Sequence, residues 1–246
     1  MKYNKILFLS KGGEGSIYEV EKDGVRYALK DIEKSGDINN LRESNYLQKE
    51  LDHPNIVKIF ETYEDDISIV IIMELCHTSL TQELQKRILT KKEIVVYLKQ
   101  LISAVQYLQQ RNIIHNDIKT DNILLCGKDI KLSDFGSTER VSDGFSSFAY
   151  SGYAYNLAPE MCCPSYNYSV NIWQIGMVLY VMSFRSLPFK ELQNKDAKYC
   201  YEYIKNNKIN IPFTDFDTHD LLSKMLEKNP NKRITLDEIF LHPFLK

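Results

Sequence analysis

The chain of 246 residues is 43% hydrophobic and 26% charged, with a formal net charge of −2 and a pI near 6.2. That length can bury a substantial core as one large domain or two small lobes. Lysines and acids are mixed along the sequence, which excludes an electrostatic footprint for nucleic acid or for a membrane surface.

The five cysteines (Cys76, Cys126, Cys162, Cys163 and Cys200) are odd in number and lack metal-ligand spacing. Reduced thiols in the cytoplasm or nucleus are the expected state. Ile6–Leu9 is too short for a signal-peptide core, and the apolar runs Ile69–Met73 and Met177–Met182 are too short to span a membrane. The expectation is a soluble intracellular monomer.

In chain order, short strands come first: Lys5–Leu9, Ser16–Glu21, Val25–Asp31, Ile56–Tyr63 and Ser68–Glu74. Asp23-Gly24 marks a hairpin between the second and third. A helix over about Asn39–Leu51 interrupts them and is ended by His53-Pro54-Asn55. After Cys76 the pattern turns helical. Lys91–Gln110 carries an apolar stripe at Ile94, Tyr97, Leu98, Leu101, Ile102, Val105 and Leu108. Ile123–Cys126 and Ile130–Leu132 read as a second hairpin around Gly127-Lys128-Asp129. Ile172–Phe184 is apolar nearly all round, which predicts a buried helix, and Asp217–Leu226 and Thr235–Phe240 follow as helices with polar starts. The fold class is therefore α+β, a small antiparallel β-rich lobe with one helix before a larger helical lobe, with a ligand cleft between them.

Residues able to do chemistry sit at the joints of this pattern. Leu9-Ser10-Lys11-Gly12-Gly13-Glu14-Gly15-Ser16-Ile17 links two strands, and glycines there let backbone N–H groups approach phosphate oxygens. Lys30 follows Tyr27-Ala28-Leu29 in a strand. His115-Asn116-Asp117-Ile118-Lys119-Thr120-Asp121-Asn122 precedes Asp134-Phe135-Gly136 and Ala158-Pro159-Glu160. Asn122 and Asp134 supply hard oxygen donors that suit Mg2+. Any one acid or amide in a loop can be a turn former, but that does not account for their joint spacing.

Together these strings resemble the protein kinase family, in its serine/threonine branch, over nearly the whole chain. The resemblance implies a single kinase domain over 1–246, with an N-lobe of about 1–75, a hinge at about 74–77 and a C-lobe of about 78–246. It implies ATP and Mg2+ as cofactors and proteins as substrates, with an activating or regulatory protein as a further partner. Asp117 would be the catalytic base, Lys119 the residue neutralising the γ-phosphate, and Asn122 and Asp134 the metal ligands. Leu9, Ser10, Gly12, Gly15 and Ile17 would form the phosphate loop, with Ser10 in place of its first glycine. Lys30 would hold the phosphates with a helix glutamate, Glu43 or alternatively Glu50. Met73 would border the inner pocket, the Glu74 carbonyl and Cys76 backbone would bond adenine, and Ile17, Ala28 and Leu124 would sandwich it. Arg233 would pair with Glu160. Lys119 and Asp121-Asn122-Ile123-Leu124-Leu125 follow the serine/threonine pattern.

Three positions depart from the family. Asn116 replaces an arginine that receives an activation-loop phosphate, so activity independent of phosphorylation at Ser146, Ser147 or Ser151, or regulation by another route, is expected. Asn171 replaces an aspartate that accepts catalytic-loop N–H groups, and should keep one weaker bond. Tyr153 stands where a threonine is usual and must reshape the substrate platform or point elsewhere. These changes define the competing reading, a pseudokinase acting as a nucleotide-binding scaffold or allosteric partner. A small-molecule kinase is disfavoured by the activation-segment strings.

Overall fold

The structure, a computed structural model, describes residues 3–12, 15–34, 38–142, 144–146, 156–163, 165–192 and 195–246. The N-terminal strands are β1 (Asn4–Lys11), β2 (Ser16–Lys22), β3 (Val25–Glu33), β4 (Ile59–Glu64) and β5 (Ser68–Met73). They form one antiparallel sheet in the order β1-β2-β3-β5-β4. Asp23 and Gly24 take positive φ values of 52° and 75°, the backbone a two-residue hairpin of this hand needs. The fourth strand starts later than the apolar run suggests. The Val57 N–H instead bonds the Leu132 carbonyl at 2.9 Å, tying this stretch to the helical part.

Period-2 alternation gives the sheet two apolar faces. Tyr3, Val20, Leu29, Val70 and Ile72 pack on one. Ile32, Ile59, Ile69 and Ile71 pack on the other, under helix α1 (Ile38–Lys49), which adds Leu41. Lys30, two residues before Ile32 in β3, shares that second face.

The C-terminal part contains α2 (Leu80–Lys86), α3 (Lys91–Gln109), α4 (Ser169–Phe184), α5 (Ala197–Asn206), α6 (Phe216–Met225) and α7 (Leu236–Leu241). Capping boxes start α2 at Ser79/Gln82, α3 at Thr90/Glu93 and α7 at Thr235/Glu238. Every residue of the predicted α3 stripe is buried. Helix α4 is buried nearly all round and runs through the middle of the main core, packing against α3 and α6. A Cβ on Gly176 would lie 2.9 Å from Leu226 Cδ2, so α4 and α6 approach as closely as only glycine allows. Helices α2 and α5 were not anticipated from the sequence.

Short strands fasten the loops between helices. They are β6 (Thr78–Ser79), β7 (Ile113–Ile114), β8 (Ile123–Cys126), β9 (Asp129–Leu132), β10 (Glu139–Arg140), β11 (Phe145–Ser146) and β12 (Tyr166–Asn167). The second hairpin is β8–β9, joined by β6, while β7 pairs with β10 and β11 with β12. Among the described residues no helix is long and apolar enough to cross a membrane.

Candidate active site

The glycine segment turns between β1 and β2. Ser10 pairs with Ile17 and Lys11 with Ser16, and the Gly12 N–H bonds the Gly15 carbonyl at 2.8 Å. The two described glycines serve different purposes. A Cβ on Gly15 would lie 2.3 Å from the Asp31 carbonyl oxygen, so its bareness is needed for packing on β3. A Cβ on Gly12 would meet nothing closer than 4.0 Å, which leaves open space beside that backbone. Gly13 and Glu14 lie outside the described residues.

Register carries this loop to the lysine. Ile17 is opposite Lys30, and Ala28 is opposite Met73 at the end of β5. The Lys30 ammonium lies 3.2 Å from Asp134 Oδ1, and the two side chains are 16% and 34% exposed. Asp134 has φ 62°, a turn that aims its carboxylate back under the sheet. Phe135 next to it is buried edge-on to His115, with ring centroids 4.8 Å apart.

Neither candidate glutamate reaches Lys30, which corrects the expectation for Glu43. Helix α1 buries Ser44 and Gln48 and packs Leu41 inward, a spacing of one helical face. Glu43 falls on the outer face, exposed, and among the described residues forms no ion pair. Glu50 pairs with Arg140 at 2.9 Å. The apolar contact of Leu47 suggested Glu43, but the face is set by Leu41, Ser44 and Gln48.

The hinge is held from behind, with its adenine-side backbone left unused. The Glu74 N–H bonds the Lys58 carbonyl at 2.9 Å, the Glu74 carboxylate meets Lys131 at 3.0 Å, and the His77 N–H bonds the Leu125 carbonyl at 3.0 Å. Among the described residues neither the Glu74 carbonyl nor the Cys76 N–H has a hydrogen-bond partner. Cys126 Sγ approaches the Leu75 carbonyl at 3.4 Å, and burial pushes both the Cys76 and Cys126 thiols up.

The segment from Ile114 to Asn122 places the proposed base. Asp117 Oδ2 accepts from Lys119 Nζ at 2.7 Å and from Asn122 Nδ2 at 2.9 Å. With its nitrogen so used, the Asn122 amide keeps its oxygen as an acceptor. Burial raises the Asp117 pKa from its ordinary value, and Lys119 opposes the shift. The Asp117 N–H bonds His115 Nδ1 at 3.3 Å. His115 is fully buried, and loss of solvent lowers its pKa to about 4 despite the nearby Asp134 charge, so its ring is neutral at neutral pH.

Amides fix the rest of this loop. The Asn122 Nδ2 also donates to the Asp117 carbonyl at 2.9 Å. Gln174 Oε1 accepts from the Ile118 N–H at 3.1 Å, and its Nε2 donates to the Asn116 carbonyl at 2.6 Å. Asn156 Nδ2 donates to the Ile118 carbonyl. Sequence reading missed Gln174 and Asn156. The available signal was Gln174 itself, an amide that stands with Asn171 in a mostly apolar helix, where burial favours pairing.

The altered positions behave differently from one another. Asn116 is fully buried at φ 66°; its Nδ2 donates to the Ser137 carbonyl at 2.9 Å, and its Oδ1 accepts from the Tyr166 hydroxyl at 3.1 Å. Asn171 is also buried, but neither polar atom of its side chain has a partner, so the expected residual bond to the loop is absent. Ser146 is buried and donates to Glu139. Tyr153, Ser147 and Ser151 lie outside the described residues. Arg233 and Glu160 form the expected pair, with Nη2–Oε2 at 2.9 Å and side chains 0% and 8% exposed.

Among the described residues, the Lys30–Asp134 pair under the glycine-bearing sheet, the Lys119–Asp117 pair in the next loop and the unpaired Glu74 carbonyl and Cys76 N–H involve the residues that the sequence expectations single out. Residues 3–245 match the family model described as "Protein kinase domain", and the chain belongs to that family. It is 33% identical to the probable serine/threonine-protein kinase PLK of Dictyostelium discoideum, over 99% of this chain and 26% of that protein. It is 34% identical to the human serine/threonine-protein kinase ULK3, over 89% of this chain and 48% of that protein. Against serine/threonine-protein kinase polo of Drosophila melanogaster it is 32% identical, over 99% and 44%. The chain thus spans about a quarter to a half of the length of these relatives.

Proposed function

We propose that this chain is an active serine/threonine protein kinase that moves the γ-phosphate of ATP to hydroxyls of protein substrates. The observation that carries the reading is Asp117 Oδ2 held by Lys119 Nζ at 2.7 Å and Asn122 Nδ2 at 2.9 Å, together with the Lys30–Asp134 pair at 3.2 Å. The donor set fits the cofactors. The Glu74 carbonyl and Cys76 N–H, unpaired among the described residues, match an adenine edge, and one carboxylate with one amide oxygen matches a metal that completes its shell on phosphates.

Asp134 and Asn122 would hold Mg2+, whose charge would offset that of the phosphates. Lys30 would orient the phosphates beneath β1–β2, with Gly12 leaving room for their approach. Asp117 would accept the proton of the attacking Ser or Thr hydroxyl; burial, by raising its affinity for protons, makes it a better base than a solvated carboxylate. Lys119 would keep Asp117 ionised and balance negative charge between it and the phosphate. The reading takes 1–246 as one kinase domain, hinged at 74–77, that works as a monomer on protein substrates in the cytoplasm or nucleus. An activating or regulatory protein is a further partner.

The pseudokinase reading is favoured by one observation, that α1 turns Glu43 away from Lys30. Transfer from Mg-ATP to a protein panel and to the chain itself decides between them. The expected result is phosphorylation on Ser or Thr, reduced by at least about 1000-fold in both Asp117→Ala and Lys30→Met. No transfer from folded, ATP-binding wild type overturns the kinase reading.

A further inference from the structure

Asp117 is flanked by two peptide groups, and both are gripped by a single side chain. Gln174 Nε2 donates to the Asn116 carbonyl at 2.6 Å on one side, and Gln174 Oε1 accepts from the Ile118 N–H at 3.1 Å on the other. The remaining polar groups of these peptides are met by His115 Nδ1 at 3.3 Å and by Asn122 Nδ2 at 2.9 Å. Gln174 reaches the loop from α4, the mostly buried central helix, with no exposed surface of its own. One turn earlier on that helix, Asn171 is buried but bonds nothing. The burden of holding the loop on α4 therefore rests on residue 174.

We propose that Gln174 is the positioning residue for Asp117: its amide sets the backbone on both sides of the base and so fixes where the carboxylate stands. Its geometry calls for a group that is acceptor and donor at once. A neutral amide does this at any physiological pH, and its own desolvation is offset by the two bonds. This inference deepens the kinase reading and rests on it for its kinetic readout.

Two variants separate positioning from bulk stability. Gln174→Met keeps the volume and removes both bonds. It should lower kcat about 100-fold with KM for ATP within about twofold, since misplacement of a base costs turnover more than binding. Gln174→Glu keeps the acceptor but, when ionised, opposes the Asn116 carbonyl; protonated, it regains the donor. Its kcat relative to wild type should therefore rise as pH falls, a trend a purely structural lesion does not produce. Hydrogen exchange of the peptide covering 113–122 should speed up in Gln174→Met, while peptides of α3 and α6 stay protected.

A Gln174→Met enzyme with kcat within twofold of wild type and unchanged exchange at 113–122 overturns the proposal. If that variant does not fold, a Gln174→Glu enzyme without the pH trend overturns it equally. Should wild type transfer no phosphate, the kinase reading fails alone. Selective exchange at 113–122 in the variants then still supports the grip on the loop, and unchanged exchange still overturns it.

Discussion

Lys30 and Asp134 meet as full charges, 16% and 34% exposed, whereas the backbone around Asp117 is held by Gln174, Asn122, Asn156 and Asn116, whose side chains carry none. The first pair faces the space where a charged nucleotide would lie. The second set donates its amide N–H groups to the protein's own chain. Charge is costly to desolvate and worth keeping where a charged ligand will meet it. Amides fasten buried backbone at lower cost, because each can match a donor and an acceptor together. The Glu160–Arg233 pair is the exception, a charged clamp deep in the helical part.

That exception gives the largest expected stability effect. Arg233→Met leaves Glu160 buried and uncompensated and should cost about 3–5 kcal/mol in urea denaturation. Adding Glu160→Gln should return much of it; no recovery would mean that Arg233 works through its bonds to the Ser169 and Glu227 carbonyls instead.

Asn171→Leu tests the neutral side from the opposite direction. It removes a buried amide that bonds nothing, and should stabilise the fold by about 1–2 kcal/mol. A loss of similar size would show that Asn171 shares in holding the loop.

The pH dependence of Asp117 is smaller and signed. Its folded pKa lies above the ordinary value of 3.8. The stability it contributes is complete below that value and is drawn down as pH rises through the folded pKa. Asp117→Asn should therefore melt higher than wild type at pH 7, with the gap closing toward pH 4, while transfer is lost. A lower Tm at pH 7 would show that the bond from Lys119 outweighs burial.

The smallest expected effect belongs to Glu43→Gln, which should leave kcat and KM within about twofold because the side chain does not reach Lys30. A tenfold loss would return Glu43 to the active site.

The sequence made the strands, the first hairpin and α3 legible: β5 is a continuous apolar run that is buried, the Asp23-Gly24 turn is local, and the α3 stripe coincides with burial, whereas β1 is exposed along its whole length. It hid α5, whose run of tyrosines and lysines buries little beyond Cys200 and Ile204. It hid α2, only seven residues long, whose start is written in the Ser79/Gln82 cap rather than in a stripe. At the site, residues fixed within one local segment were readable: Asp117, Lys119 and Asn122 come together as their spacing suggested. The failures involve partners chosen across the fold. Which side of α1 faces Lys30 depends on the whole helix, and which α4 side chain reaches the loop depends on how that helix is rotated. Residue 171 or 174 cannot be preferred by spacing alone.

Asn116 has a consequence for anyone who would rewire this domain. Its amide spans three places at once: the catalytic loop that carries it, Ser137 beyond the Asp-Phe-Gly triplet, and Tyr166. Installing arginine there to create a phosphate-operated gate would remove the donor to the Ser137 carbonyl and the acceptor of the Tyr166 hydroxyl together. A gate could be grafted only by redesigning all three contacts in one move, and single-residue libraries at position 116 would pass it by.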